Sequence, residues 1–414
     1  MTRARAGMLL LAALACAPPE YGEGPEVFSE PTAHIGDSWI FSPTRINRID
    51  IELGEDALEI LRSERGFSYP RNTVRASATM DSEFIGDVGV RLRGGLGSFR
   101  AFDKKPKLEI DLNEYSDERF YGLESLSLNN MISECSGMRE ALAYEAYRMA
   151  GVPSSRTGYA QLYVNGQDYG IYLVLETQDD RWLRRNFLDG DGNYYDGKYV
   201  YSGYWPTLVD FAVGRDHWFD LEEGVDVGFS DITQISRGVE RADATGEIDD
   251  AFSRLVDWEE VATLLRVEQW VGDDDGFYGP NNYRVYFEPG RPMVVVRWDT
   301  DGSFPVSESD DGEERENRFD PDRWEQDGGS SLNRVCLADT ECRQIWEARK
   351  AEVEEVLMDG RLLALGEQLH LLVEEGVRGD PRRECDEDGS ETAEAILEYL
   401  ATGEVSEVES TDGD

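Results

Sequence analysis

Apolar and polar positions alternate in RIDIEL just after Asn47 and again in VGVRLRG at 88–94. KLEIDL at 107–112 continues the run of strands, so the chain opens on elements with one buried face. Residues 55–63 read instead as a helix, and across 138–150 apolar residues recur near helical spacing until Gly151, with Pro153 beyond it. YAQLYVNGQDYGIYLVLE at 159–176 is two aromatic-rich runs around Asn165-Gly166, a pair that accepts the left-handed φ of a tight hairpin turn. That spacing predicts a hairpin ending near Glu176. A helix over roughly 257–271 leads into YRVYF and MVVVRW, predicted to pair as strands, and Leu and Val are spaced for helical packing across 340–377. The stretch 190–230 is rich in Trp, Tyr and Gly, and 307–330 reads as an acidic loop. From Glu384 to the terminus there are 12 acids and no base, which predicts a solvated, frayed tail. The fold class expected is α+β, with a mixed or antiparallel sheet and a helical C-terminal part.

Composition narrows the function classes. The 414 residues, 40% apolar, suffice for a real core, and 11% aromatics separate the chain from disordered acidic proteins. Against 41 Lys+Arg stand 86 Asp+Glu, a formal charge of -45, so the bulk surface repels nucleic acid and anionic lipid. Arg3, Arg5 and the apolar run 8–15 read as an export signal, too short to remain as a membrane anchor. Cys16 after Ala13-Leu14-Ala15 resembles a bacterial lipobox with its apolar positions out of the usual order, so lipidation at Cys16 and plain cleavage are both open. Lipidation is the one route to a membrane. The organisation expected is 1–16 signal, 17–38 tether, 39–380 folded domain and 381–414 acidic tail, in an exported bacterial protein of the cell envelope or secreted. Cys135, Cys336, Cys342 and Cys385 favour disulfides in an exported chain, and Cys336 with Cys342 could close a short loop. With three His and no CxxC pair, a zinc site is not expected; the three His stand in no recognisable motif and G-x-S-x-G is absent, so neither is a triad hydrolase.

Two constellations point to phosphate chemistry. Lysine is scarce, yet three of the five lysines, Lys104, Lys105 and Lys107, fall within four residues, near Arg91, Arg93 and Arg100 and among glycines. Guanidinium and ammonium groups neutralise phosphate oxygens while glycine admits backbone N–H groups to them. A cationic strand face matched to acidic neighbours would look the same, and no Walker pattern occurs. The second constellation is Asp273-Asp274-Asp275, then Asn281-Asn282, then Asp299 and Asp301 in WDTD, directly after an apolar strand. A nucleotide-dependent phosphotransferase needs an Asp to orient the acceptor hydroxyl and carboxylate and amide oxygens to hold Mg²⁺ on the phosphates. A solvated acidic loop or a structural Ca²⁺ site is the plainer alternative. Glu140, in the helix MREALAYEAYRM, has the place of a helical partner for a nucleotide lysine, and Glu176 ends an apolar strand; either could equally be a structural carboxylate. DGDGNYYDG at 189–197 begins like a calcium loop but has Tyr194 and Val200 where an EF-hand needs Gly and a carboxylate.

In this order the motifs VGVRLRGG, DKKPKLEI, MREALAYEAYRMAGVPSSRTGYAQLYVNGQDYGIYLVLE, DDDGFYGPNNYRVYF and VVVRWDTDGSF resemble the spore-coat H (CotH) kinase family over roughly residues 47–375. The resemblance implies a compact kinase-like fold, ATP with Mg²⁺ or Mn²⁺, and transfer of the γ-phosphoryl group to Ser or Thr of exported or surface proteins. By position it implies Lys104 or Lys105, with Arg91 and Arg93, at the nucleotide phosphates and Glu140 and Glu176 bordering the nucleotide. It implies Asp274 or its neighbours Asp273 and Asp275 as the acceptor-orienting residue, and Asn282, Asp299 and Asp301 as metal ligands. Asp196 stands where the family often has a lysine, and three adjacent Asp crowd the catalytic position. A catalytically silent surface or coat-assembly module is the alternative from another class, and transfer to a small molecule or glycan the enzymatic one.

Overall fold

The computed structural model describes residues 36–405 apart from 67–69, 96, 116–118, 133–134, 198–199, 203–204, 208, 307–317, 327–328 and 386–388. The expected signal, Cys16 and most of the tether lie outside the described residues, and among these no helix is long and apolar enough to cross a membrane. The expected strands curl into something the sequence did not announce. β1 (Ile46–Leu53), β2 (Val74–Met80), β3 (Glu83–Arg93), β4 (Lys107–Asp111), β5 (Ser125–Asn129), β7 (Gln167–Glu176) and β6 (Thr157–Val164) close, in that order, into a seven-stranded barrel. Neighbours run antiparallel except β1 with β6, the parallel pair that completes the ring and removes exposed edges. Ile49, Ile51 and Leu53 of β1 and Val74, Ala76, Ala78 and Met80 of β2 are buried, which is the alternation visible in the sequence. The hairpin turn lies at Asn165 (φ 48°) and Gly166 (φ 72°), and β7 ends at Glu176 as the spacing predicts.

α1 (Glu55–Ser63) and α2 (Arg139–Met149) follow β1 and β5, and α2 meets β6. α3 (Asp180–Asn186) leads to a second, antiparallel sheet in the order β11 (Phe219–Glu223), β8 (Asn193–Gly197), β12 (Tyr283–Phe287), β13 (Val294–Arg297), with β9 (Val200–Ser202) and β10 (Trp205–Thr207) pairing separately. β8 and β11 come from the Trp-, Tyr- and Gly-rich stretch: β8 does not alternate, since the adjacent Tyr194 and Tyr195 are both buried among aromatic partners, whereas β11 sets Phe219 and Leu221 against the exposed Asp220 and Glu222. α4 (Ser230–Thr245) and α5 (Asp250–Ser253) precede α6 (Trp258–Val271), whose helix is buried almost throughout.

The C-terminal part is helical: α7 (Pro321–Gln326), α8 (Ser331–Ala338), α9 (Thr340–Leu357), α10 (Arg361–Arg378) and α11 (Ser390–Thr402). The run expected across 340–377 is two helices, interrupted where Gly360 takes a left-handed φ of 91°. The fraying expected after Glu384 does not hold for α11. Thr392, Ala393, Ile396, Tyr399 and Leu400 recur on one face and are buried, while Glu391, Glu394 and Glu398 stay in solvent, so acid content concealed an amphipathic helix. Cys336 pairs with Cys342 between α8 and α9, and Cys135 pairs with Cys385, tying the segment before α2 to the segment after α10.

Candidate active site

The β12–β13 ladder brings two predicted ligands side by side. Tyr283 pairs with Arg297, so Asn282 and Asp299 flank the same end of the ladder, and Trp298 N–H donates to the Asn282 carbonyl at 3.1 Å. Both take a left-handed φ, 45° at Asn282 and 52° at Asp299, a conformation Asn and Asp tolerate better than other side chains and one that clusters at functional sites. The Asp299 N–H donates to the Tyr144 hydroxyl of α2 at 3.0 Å. Asn282 Nδ2 donates to the Asp275 carbonyl at 3.0 Å and its Oδ2 at 3.1 Å, and Asn281 Nδ2 to Asp275 Oδ1 at 2.8 Å, which folds the 273–282 loop back on itself.

Beneath this loop lies Arg297, wholly buried. Its guanidinium is 3.0 Å from Glu268 Oε1 and 2.7 Å from Asp273 Oδ2, and it donates to the Tyr147 hydroxyl and to the carbonyls of Asn282, Trp298 and Asp299. Glu268 in turn accepts from the N–H groups of Phe277 and Tyr278 at 2.7 and 2.8 Å. A Cβ at Gly276 would sit 2.1 Å from Glu268 Oε1, so the loop needs glycine there. Burial pushes the Glu268 carboxyl up to about 7, against the pull of Arg297. Sequence reasoning missed Arg297, Glu268 and Tyr144; a charge inside the apolar strand VVVR was the available signal for Arg297.

The three adjacent Asp therefore part company. Asp273 is buried on Arg297 and Ser303. Asp274, the first choice for the acceptor-orienting residue, lies 3.3 Å from Arg318 Nε and 2.6 Å from Arg323 Nη2, so its charge is matched by two guanidinium groups. Asp275 reaches solvent beside Asn281 and Asn282. Its carboxyl is pushed up by desolvation and by the charges of Asp273 and Asp299.

The lysines divide as sharply. Lys104 is exposed. Lys105 is buried 2.5 Å from Asp380 Oδ2, which also accepts from Ile171 N–H at 3.0 Å, and a Cβ at Gly170 would lie 2.1 Å from the same carboxylate. Asp380 thus ties the end of α10 both to β7 and, through Lys105, to the segment before β4. The lysine at the site is Lys107, first residue of β4, with Nζ 3.2 Å from both Asp299 Oδ1 and Asp301 Oδ2. Burial opposes its charge, but Asp299, Asp301 and Glu140 outweigh that and hold its pKa above the usual lysine value. Glu140 is buried on α2 and accepts from Asn129 Nδ2. Burial and the neighbouring Asp301 push Asp299 up, against Lys107 and Arg93.

Arg91 and Arg93 grip the two oxygens of Glu109 at 2.5 and 2.7 Å, and Arg93 lies over Trp298, 5.1 Å from the ring centroid. Glu176 is drawn away from the constellation: Arg156 holds it at 2.7 Å and Arg185 also pairs with it, while Arg156 reaches on to Asp37. Among the described residues no three His, Cys, Asp or Glu side chains form a ready-made metal cage. Asn282, Asp299 and Asp301 carry the oxygen donors that Mg²⁺ or Mn²⁺ would take, ions that complete their shell with water and substrate phosphates, and here the Lys107 ammonium places positive charge between the two carboxylates.

A model of the family described as CotH kinase protein matches residues 90–402, more than half of the chain. The chain is also 30% identical over 228 residues to the inner spore coat protein H of Bacillus subtilis (strain 168). That alignment takes in 53% of this chain and 59% of the relative, so the chain spans somewhat over half the length of the curated relative it matches.

Proposed function

The chain belongs to the CotH kinase protein family, and from that membership and the constellation around Lys107 we propose an ATP-dependent protein kinase that transfers the γ-phosphoryl group to Ser or Thr hydroxyls of exported or surface proteins. The observation that carries the reading is a buried lysine bridging Asp299 and Asp301, with Glu140 behind it and Asn282 on the adjoining loop. This order of lysine on a strand, glutamate on a helix, aspartate loop, asparagine and post-strand aspartate parallels the apparatus of protein kinases, and it supports a kinase-like architecture built from the barrel and the second sheet.

The nucleotide lysine in this reading is Lys107, with Arg93 beside it, rather than Lys104 or Lys105. The two carboxylates that now neutralise Lys107 would turn to the cation, leaving the ammonium for phosphate oxygens. Asn282, Asp299 and Asp301 would hold one or two Mg²⁺ or Mn²⁺ ions, which when bound offset the charge on the phosphates. Asp275 is the acceptor-orienting residue because it is the open carboxylate of the three, and Asn281 and Asn282 fix its oxygens. Arg297 holds the backbone of both loops, so neither has to reorganise when substrate arrives. The export signal and the spore-coat relative support a surface or secreted location, with Cys16 as the one candidate for a lipid anchor.

The test is incorporation from γ-labelled ATP with Mn²⁺ into a Ser-rich peptide, comparing the protein with Asp299→Ala. Loss of labelling in the variant is the expected result. Equal incorporation by both would remove the site assignment. No nucleotide turnover by either would leave a silent coat-assembly or adhesion module, and turnover without peptide labelling would point to a small-molecule or glycan acceptor.

A further inference from the structure

α6 carries a second constellation on the side away from Glu268. Arg266, Gln269 and Trp270 stand at i, i+3 and i+4 and share a face, whereas Glu268, two residues on from Arg266, lies roughly 200° round the helix. That face borders an open cavity of about 490 Å³, lined also by residues at the ends of α9 and α11 and just beyond them, and by Phe319. Arg266 is only 4% exposed. Its Nε donates to the Trp346 carbonyl at 3.0 Å, its Nη1 to Gln269 Oε1 at 2.7 Å, and the guanidinium lies 3.1 Å from the Trp346 ring centroid.

Buried Lys105, Arg284 and Arg297 each face a carboxylate, but among the described residues no carboxylate lies within ion-pair distance of Arg266. The acids on the cavity are Glu354 and Glu404; the first is half exposed and 3.9 Å from Lys350, the second is exposed. Burial without a counter-ion pushes Arg266 down to about 10, with Glu325, Glu354 and Glu347 only partly opposing. Beside the guanidinium the wall is aromatic: Trp270 and Phe319 each lie 5.2 Å from Tyr399, ring centroid to centroid.

A buried, uncompensated charge is costly, and a carboxylate brought to it in an apolar pocket makes a strong, charge-assisted pair. We propose that this cavity binds a small organic anion, one carboxylate on an aromatic or aliphatic body, with Arg266 as its counter-ion and Trp270, Phe319 and Tyr399 packed on the body. The volume suits such a ligand. This site is independent of the phosphotransfer reading, since it shares no residue with the Asp299 constellation.

The probe is 3-phenylpropionate against its uncharged amide, 3-phenylpropionamide, titrated calorimetrically into the full chain. The expected result is binding of the acid at least tenfold tighter than the amide, with the preference lost in Arg266→Gln. Because Arg266 also packs on Trp346, the acid–amide comparison on the unaltered protein decides the matter if that variant does not fold. Equal affinity for both probes, or no uptake of either at millimolar concentration, overturns the proposal. Uptake of the acid only after Glu407 and Glu409 are changed to Gln would assign the cavity to the chain's own acidic C-terminal segment and overturn it equally.

Discussion

The outer wall of the barrel and the Asp299 site are built from the same residue types, yet their charges are balanced differently. On the barrel, Lys105 meets Asp380, and Asp37 and Glu176 are shared among Arg156, Arg181 and Arg185. Each acid there is matched, and the clusters hold chain segments together. At the site, Glu140, Asp299 and Asp301 all act on Lys107, with Arg93 nearby already gripped by Glu109. Around that one ammonium the acids outnumber the base. Neutral clusters stabilise a fold on their own, whereas an unbalanced one gains most when a cation arrives from outside.

The sharpest break in this comparison is the pair Lys105 and Lys107. Lys107→Ala is expected to lower peptide labelling at least about a hundredfold, the scale for losing one preorganised charge partner of a transition state. Lys105→Ala should leave labelling per folded molecule unchanged but cost about 3–5 kcal/mol of stability, because it strands Asp380 in the interior. Labelling assays and urea unfolding of both variants check this. A Lys105 variant that is stable and inactive would reverse the assignment of the two lysines.

A smaller effect concerns pH. The folded pKa of Glu268 is raised to about 7 from an unfolded value near 4.3, so between these the native state holds a proton that the unfolded state has lost. Stability from this group is therefore greatest in acid and falls as pH rises through about 7. Glu268→Gln cannot ionise. Its melting temperature relative to the unaltered protein should rise between pH 5 and pH 8, and a difference constant across that range would mean Glu268 stays ionised on Arg297.

Much of this architecture was legible in the sequence, and what was not has identifiable causes. Period-two alternation gave the strands of β1 and β3, and Asn165-Gly166 gave the hairpin, because each depends on neighbours a few residues apart. Barrel closure rests on the pairing of β1 with β6, more than a hundred residues away, which no local pattern encodes. The order of Asp275, Asn282 and Asp299 was readable, but the roles of the three adjacent Asp were not. Those roles are decided by Arg297, Arg318 and Arg323, which approach from other elements. Lys107 stood in the lysine cluster from the start; its position as the first residue of a strand distinguished it from Lys104 and Lys105, which precede the strand.

The mildest test bears on how firmly the unbalanced site is held when nothing is bound. Asp299 adopts its left-handed φ with its N–H donated to the Tyr144 hydroxyl, a contact that reaches from α2 across to the end of β13. Tyr144→Phe removes the acceptor and little else, leaving a partly buried N–H without its partner at a cost of about 1 kcal/mol. If the tyrosine positions Asp299, Mn²⁺-dependent nucleotide affinity should fall within about tenfold, while the pH dependence set by Glu268 stays as it was. A variant that loses stability but keeps its nucleotide affinity would show that Arg297, through the carbonyls of Asn282 and Asp299, suffices to hold the loop, and that Tyr144 serves packing alone.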